Sequence, residues 1–231
     1  MKRKLTLLTN FVQSVLVAMF FLFSIGEIRA QLPYSSAHFG AGNTATINGV
    51  KVTRIFQGNV VGVAPANRLS AANGYCAGFP TGARYAIVNT AGNGQIVYVF
   101  NEPVKEVDVD LIGMGRKNDS SKEGRVTLGI FCGSGTTASL KILPVGYIGC
   151  NQGTYYTNDS GAYVGGKGQS NYRVRIKSAD DEPFSILVVR RPVYHHNEPV
   201  MVEINKIVKD NRFSIDISTQ PQGKTTCAGG G

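Results

Sequence analysis

The stretch IVYVFNEPVKEVDVDLIGM, residues 96–114, decides the fold class of this chain. Apolar and polar residues alternate with a period of two on both sides of Asn101-Glu102-Pro103, as in strands with one buried face. We therefore predict a strand, a turn at these three residues and a second strand. Near the C-terminus the same alternation recurs in three segments: YRVRIK (172–177), PFSILVVR (183–190) and VMVEINKIV (200–208).

Short apolar runs separated by turn residues fill the rest of the chain. Asn48-Gly49 favours a two-residue turn between TATI and VKVTRIF. RVTLGIFC (125–132) and TASLKILPV (137–145) predict a second hairpin. Residues 149–170 are rich in Gly, Asn, Ser and Tyr, which predicts an irregular, exposed excursion.

The composition supports the same fold class. Glycine is frequent, 28 of 231 residues, and it falls between the apolar runs, as turn residues do in a domain of many short strands. No stretch has convincing helical periodicity. The sequence therefore predicts an all-β protein, an antiparallel β-sandwich with a jelly-roll-like arrangement, over residues 31–215.

Residues 1–30 have the layout of a secretory signal peptide. A basic start at Lys2, Arg3 and Lys4 precedes an apolar stretch, and Ala30 lies just before a predicted cleavage at Gln31. A retained membrane anchor is the alternative, but polar residues dilute the apolar stretch. We predict cleavage, no membrane span in the mature chain, and a secreted, extracellular or cell-surface location.

The charge pattern argues against nucleic acid as a partner. The formal net charge is +9, and the signal peptide accounts for three of these charges. The remaining basic residues are interspersed with acidic ones. Arg173 and Arg175 alternate along one predicted strand, which favours a solvated face. An anionic polysaccharide fits this pattern better than nucleic acid does.

All four cysteines lie in the exported part, where disulfides form and persist. Four cysteines permit three pairings, and spacing alone does not choose among them. We favour Cys132 with Cys150, because one ends a strand and the other follows its predicted hairpin partner. Cys227 either pairs with Cys76 or has its partner beyond this sequence.

The candidate binding residues lie in the Gly- and Tyr-rich segment. Aromatic faces beside amides and carboxylates suit stacking on sugar rings and hydrogen bonding to hydroxyl groups. The alternative is that the tyrosines pack the segment onto the sandwich. The candidates are Tyr155, Tyr156, Tyr163, Asn158 and Asp159.

Two acidic pairs are candidate calcium ligands. Asp108 and Asp110 share one face of a strand, and Asp180 and Asp181 lie in a predicted turn. Calcium prefers several oxygen ligands, although adjacent acids in a turn are usually only solvated. Asp108 or Asp110 could also serve a hydrolase, but the sequence has no G-x-S-x-G or H-E-x-x-H motif and no nucleophile with a partner base.

The tail ISTQPQGKTTCAGGG resembles the opening of the immunoglobulin-like modules in large secreted surface proteins of gliding bacteria. The matching residues are Ile217, Gln220, Pro221, Cys227 and Gly229. This resemblance implies that residues 216–231 are a linker or the start of such a module, with the partner of Cys227 beyond the given sequence.

The body of the chain is similar to the N-terminal domains of the same proteins. The similarity lies in an F-x-x-PV-x-x-V-x-V pattern, a PF-x-hydrophobic segment and a late V-E-I strand. The matching residues are Phe100, Pro103, Val104, Val107, Val109, Pro183, Phe184, Ile186, Val202, Glu203 and Ile204. The resemblance implies a fold class and carries no catalytic residues.

These observations predict a non-catalytic module of adhesion or surface display, with a glycan or a surface protein as partner. The alternative is a carbohydrate-binding module or a carbohydrate-active protein. A spacer without a ligand is a third hypothesis. No cofactor is expected, apart from the calcium considered above.

Overall fold

The computed structural model describes residues 32–58, 60–65, 83–88, 94–114, 123–133, 135–149, 153–160, 162–167, 170–191 and 200–211. The chain divides into two compact units, residues 1–30 and 31–231, and all described residues belong to the second. The predicted signal peptide, the tail at 216–231, and Cys76, Cys150 and Cys227 lie outside the described residues.

The described part of the chain consists of β-strands and connections, without a helix of regular length. The strands are β1 (Thr44–Ile47), β2 (Val50–Gln57), β3 (Val60–Pro65), β4 (Arg84–Val88), β5 (Gln95–Met114), β6 (Glu123–Phe131), β7 (Thr137–Ala138), β8 (Leu140–Tyr147), β9 (Thr154–Asn158), β10 (Tyr163–Lys167), β11 (Ser170–Ser178), β12 (Phe184–Arg190) and β13 (Val200–Lys209).

All paired strands are antiparallel. They form one curled sheet with the main order β3-β4-β13-β5-β12-β6-β10-β9, while β2 and β11 add further strands to β5. The sequence prediction of an antiparallel, all-β, sandwich-like fold is confirmed.

Strand β5 connects the two halves of this sheet. Residues 95–100 pair with β2 and β12, whereas residues 106–114 pair with β11 and β13. The predicted turn at Asn101-Glu102-Pro103 was wrong, because the strand continues through it. Between Val99 and Val104, β5 places four residues opposite the single Ser185 of β12. The chain therefore bulges and exchanges partners instead of reversing.

Side chains of β5 enter two hydrophobic cores. Val107, Val109 and Leu111 lie in the main core. Ile112 lies in a smaller core with residues of β4 and β13, and Leu32 and Tyr34 pack against it. The N-terminal segment (residues 32–43) thus covers a sheet face that would otherwise meet water.

The short-range hairpin prediction was confirmed. Asn48 and Gly49 have φ of 51° and 80°, and Ile47 pairs with Val50 across a two-residue turn. The Asn48 carboxamide oxygen also accepts a hydrogen bond from the Ile207 N–H at 3.1 Å, which ties this turn to β13.

One further element prediction held only in part, and another was wrong. The hairpin after β6 is limited to the two-residue β7, and β8 pairs with β11 instead. The segment predicted as an irregular excursion contains the hairpin β9–β10, which pairs with β6. Gly165 and Gly166 are accommodated there because neighbouring side chains lie over them, the Tyr156 ring over Gly165 and Met114 and Ser170 over Gly166.

Candidate functional site

The hairpin β9–β10 places consecutive tyrosines on opposite faces of the sheet. The Tyr155 ring points inward, where it stacks on Tyr172 at 4.3 Å between centroids and meets the Tyr147 ring edge-on at 5.2 Å. Packing accounts for Tyr155, as the alternative interpretation of the sequence anticipated.

Tyr156 lies on the outer face, together with Tyr163 and Arg125. The two tyrosine rings meet edge-on with centroids 6.0 Å apart. The Arg125 guanidinium carbon lies 4.7 Å from the Tyr163 ring centroid, a distance typical of a cation–π contact. We call these three side chains the Tyr–Arg cluster.

A glycine gives the Tyr–Arg cluster its geometry. Gly165 of β10 lies between Tyr156 on β9 and Arg125 on β6 in the strand register. A Cβ atom added at Gly165 would lie 2.4 Å from Cζ of Tyr156. The Tyr156 ring therefore lies over Gly165, and no larger residue fits beneath it.

Asn158 and Asp159 have different places in the same hairpin. Asn158 lies opposite Tyr163, and its side-chain oxygen accepts a hydrogen bond from the Ser160 hydroxyl at 2.9 Å. The Asp159 carboxylate accepts a hydrogen bond from the Ile142 N–H at 2.9 Å, which fastens the β9–β10 turn to β8. The structure thus brings Tyr156, Tyr163 and Asn158 together, whereas Tyr155 packs inward and Asp159 holds the turn to β8.

A row of polar side chains continues from this cluster across the sheet. Successive strand registers place one residue of each strand beside the next, and we call the row the polar ladder. It consists of Asn158 (β9), Tyr163 (β10), Thr127 (β6), Arg190 (β12), Gln95 (β5) and Gln57 (β2).

Side-chain hydrogen bonds organise one end of the polar ladder. Arg190 donates from Nε and Nη2 to Oε1 of Gln95, at 3.1 and 2.8 Å. Gln95 in turn donates from Nε2 to Oε1 of Gln57. The exposed Arg190 and Gln57 and the half-buried Gln95, on three strands, are thereby held in one arrangement.

Half-buried apolar side chains flank the ladder on the same face. Val97 lies between Val188 of β12 and Ile55 of β2 in register. Ile55 is 43% exposed, one of the two large apolar residues exposed in the described part of the chain. The outer face thus combines polar side chains with half-buried apolar ones and the exposed Ile55.

Sequence reasoning missed Arg125, Arg190, Gln95 and Gln57. Arg125 and Arg190 occupy outward positions of predicted strands, whereas Gln95 and Gln57 lie one residue outside the predicted strands and extend them in the structure. Their proximity depends on the strand order, which a single sequence does not reveal.

The first candidate calcium pair is engaged by arginines. Arg173 donates to both carboxylate oxygens of Asp110, at 2.6 and 3.0 Å. Arg175 binds Asp108 in the same way, at 2.7 and 3.2 Å. The prediction of a solvated arginine face was wrong, since Arg173 is only 7% exposed.

The second pair lies in the turn between β11 and β12. Asp181 accepts a hydrogen bond from Lys177 at 2.6 Å, and Asp180 is exposed. The described residues contain no group of three or more His, Cys, Asp and Glu side chains arranged to hold a metal. The calcium site remains a prediction.

Cys132 directly follows β6, is buried and is not a free thiol. Its predicted partner, Cys150, lies outside the described residues, so this pairing remains a prediction. No helix in the described ranges has the length and apolar character needed to cross a membrane.

Comparisons with family models, curated proteins and solved structures find no significant match to this chain.

Proposed function

We propose that this chain is a non-catalytic β-sandwich module, secreted or held at the cell surface, that binds a surface partner through its outer face in adhesion or surface display. The Tyr–Arg cluster carries this proposal. Two aromatic rings and a guanidinium are fixed on paired strands, so binding would order few mobile groups.

The contacts of the acidic residues support a role without catalysis. Each carboxylate considered for hydrolysis, Asp108 and Asp110, is bound bidentately by an arginine on β11. A general acid or base has to exchange protons with a substrate, and these contacts occupy both oxygens.

The sequence features of residues 1–30 support export, and the similarity of the body and tail to large surface proteins of gliding bacteria supports a place at the cell surface.

A carbohydrate-binding module is the second candidate function. The outward rings of Tyr156 and Tyr163, with the Asn158 amide beside them, favour it. Aromatic faces stack on the C–H faces of sugars, and amides pair with hydroxyl groups.

Binding of the labelled, purified chain to a glycan array and to immobilised collagen, fibronectin and mucin tests the proposal. We expect retention on at least one surface, reduced at least tenfold in Tyr156→Ala and Tyr163→Ala. Tyr147→Phe is the matched control, because this ring packs inward. Retention that is equal in all variants would exclude the outer face as the binding surface.

A further inference from the structure

The polar ladder is a continuous row of register neighbours that follows the curl of the sheet. It crosses six strands, and neighbouring strands lie about 4.8 Å apart, so the row extends over about 24 Å. The repeat of an extended chain of pyranose sugars is close to this strand spacing. A linear polysaccharide that lies across the strands would therefore place one sugar beside each ladder residue.

The side chains match such a ligand along its length. The Tyr163 ring and the neighbouring Tyr156 ring offer stacking surfaces at one end. At the other end, Arg190, Gln95 and Gln57 are already joined by hydrogen bonds. Because these long side chains are held before binding, less rotamer entropy is lost on association.

The charge of the outer face favours an acidic ligand. In strand register the outer positions of β6, β10 and β12 hold the cations Arg125, Lys167 and Arg190, against one acidic residue, Glu123, which lies opposite Lys167. Guanidinium groups bind carboxylates with charge-assisted hydrogen bonds, which are stronger than neutral ones.

We propose that the polar ladder binds a linear acidic polysaccharide, a chain of pyranose units that carry carboxylates, with one sugar on each strand. This inference rests on the proposed use of the outer face and names the class of partner. It extends the site from the Tyr–Arg cluster to β12, β5 and β2.

Isothermal titration calorimetry of the purified chain tests this proposal with β-1,4-linked oligouronates of two, four and six sugars. Gluco-oligosaccharides of the same lengths are the neutral comparison. We expect the affinity to increase at least tenfold from two to six uronates, to fall as salt is added, and to be at least tenfold weaker for the neutral chains.

Variants at the two ends of the ladder separate the subsites. Tyr163→Ala should weaken binding of every uronate. Arg190→Gln combined with Gln95→Ala should remove the gain between two and six sugars. Lys206→Gln on β13 removes an exposed charge away from the ladder, because β13 pairs with residues 104–112 of β5, and it should leave binding unchanged. Thermal unfolding of each variant confirms that it is folded.

Absence of uronate binding, equal binding of neutral chains, or full affinity in the variant that combines Arg190→Gln with Gln95→Ala would overturn the inference. The proposed function has a separate readout. If uronates do not bind but Tyr156→Ala and Tyr163→Ala still lose retention on the arrayed surfaces, the outer face binds a partner of another class.

Discussion

Asp110 and Arg173 form a buried ion pair between β5 and β11. The Asp110 side chain is fully buried and also accepts a hydrogen bond from the Ser35 N–H at 3.1 Å. Burial raises the pKa of Asp110, whereas the Arg173 hydrogen bonds and the Ser35 amide act in the opposite direction. The folded chain therefore depends on Arg173 to balance the negative charge of this buried carboxylate.

Removing Arg173 and removing Arg175 should lower the free energy of unfolding by different amounts. Arg173→Ala is expected to lower the free energy of unfolding by about 3–5 kcal/mol, because it leaves a buried carboxylate without its partner. Arg175→Ala should cost about 1 kcal/mol, since the Arg175 side chain is 33% exposed. Urea denaturation measures both, and equal losses would contradict the prediction.

Glu203 is a buried carboxyl group whose negative charge is less well balanced than that of Asp110. Its side chain is fully buried, the nearest cation is Nη1 of Arg54 at 3.9 Å, and neither oxygen accepts a hydrogen bond of normal geometry. Burial raises the pKa of Glu203 from 4.5 to about 8, while Arg54 opposes this shift. At neutral pH the folded chain therefore holds a proton that the unfolded chain releases.

This proton makes stability depend on pH. Because the folded state binds more protons between pH 4.5 and about 8, the stability contributed by this group falls as pH rises through that window. The loss is at most about 1.4 kcal/mol per pH unit. Glu203→Gln keeps the shape without the titration, so its stability relative to the natural chain should rise from pH 5 to pH 8.

Urea denaturation at pH 5, 6, 7 and 8 gives this difference directly. Glu102→Gln is the matched control, since its side chain is 39% exposed and pairs with Lys209 at the surface. A constant difference between Glu203→Gln and the natural chain at all four pH values would show that Glu203 does not titrate in this window.

At the scale of elements, the β9–β10 hairpin depends on the space above Gly165. In Gly165→Ala the new Cβ would overlap the Tyr156 ring, whose nearest atom would be 2.4 Å away. The ring is the far end of a side chain and can rotate away. We therefore expect a stability loss of about 1 kcal/mol or less, together with displacement of Tyr156 from the Tyr–Arg cluster.

Gly129→Ala is the comparison for this change, because its Cβ would lie 3.3 Å from the Phe131 ring on the same outer face. Tyrosine fluorescence reports the displacement, since the chain contains no tryptophan. The tyrosine emission of Gly165→Ala should differ from that of the natural chain, and the emission of Gly129→Ala should match it. The same emission in both variants would mean that Gly165 does not position Tyr156.

Elements whose conformation is set by residues close together in the sequence could be predicted. The β1–β2 turn is fixed by Asn48 and Gly49, whose positive φ values belong to these residue types. The path through Asn101-Glu102-Pro103 could not be predicted, because a break in the alternation has the same appearance in a turn and in a strand that changes partners. The hairpin β9–β10 was missed because its partner strand β6 lies far away in the sequence.

The same limit applies to the charged residues of the site. Alternation assigned Asp110 and Arg173 to the polar face of their strands, and polar faces usually meet water. Burial of this face depends on the N-terminal segment, which covers it from outside the sheet. The sequence pattern of β5 or β11 alone does not indicate that the N-terminal segment packs on this face.

At the scale of the whole molecule, the N-terminal segment (residues 32–43) connects the buried charges. Arg54 donates from Nη2 to the carbonyl oxygens of Gly40 and Gly42, at 3.1 and 2.6 Å. Arg173 donates to the carbonyl oxygen of Pro33 at 3.0 Å. The Tyr85 hydroxyl donates to the carbonyl oxygen of Ser35 at 2.8 Å. The segment thus supplies backbone partners to side chains of three different strands.

A chain that begins at Thr44 should therefore lose its native structure. Without residues 32–43, Asp110 loses its Ser35 partner and Arg54 loses two carbonyl acceptors, while Phe39 no longer covers Tyr98 at 5.8 Å. We expect the free energy of unfolding to fall by about 5 kcal/mol or more, which is comparable to the total stability of many domains. Near-ultraviolet circular dichroism and urea denaturation measure this loss.

The separate peptide LPYSSAHFGAGN, residues 32–43, provides the control for this truncation. Added to the shortened chain, it should restore the near-ultraviolet signal, because its backbone carbonyls can return to Arg54 and Arg173. A peptide with Phe39→Ala should restore less, since it lacks the ring beneath the Arg54 guanidinium, which lies 4.7 Å from the ring centroid. The shortened chain could instead unfold at the same urea concentration as the longer one. That result would show that the sheet stabilises these buried charges without the N-terminal segment.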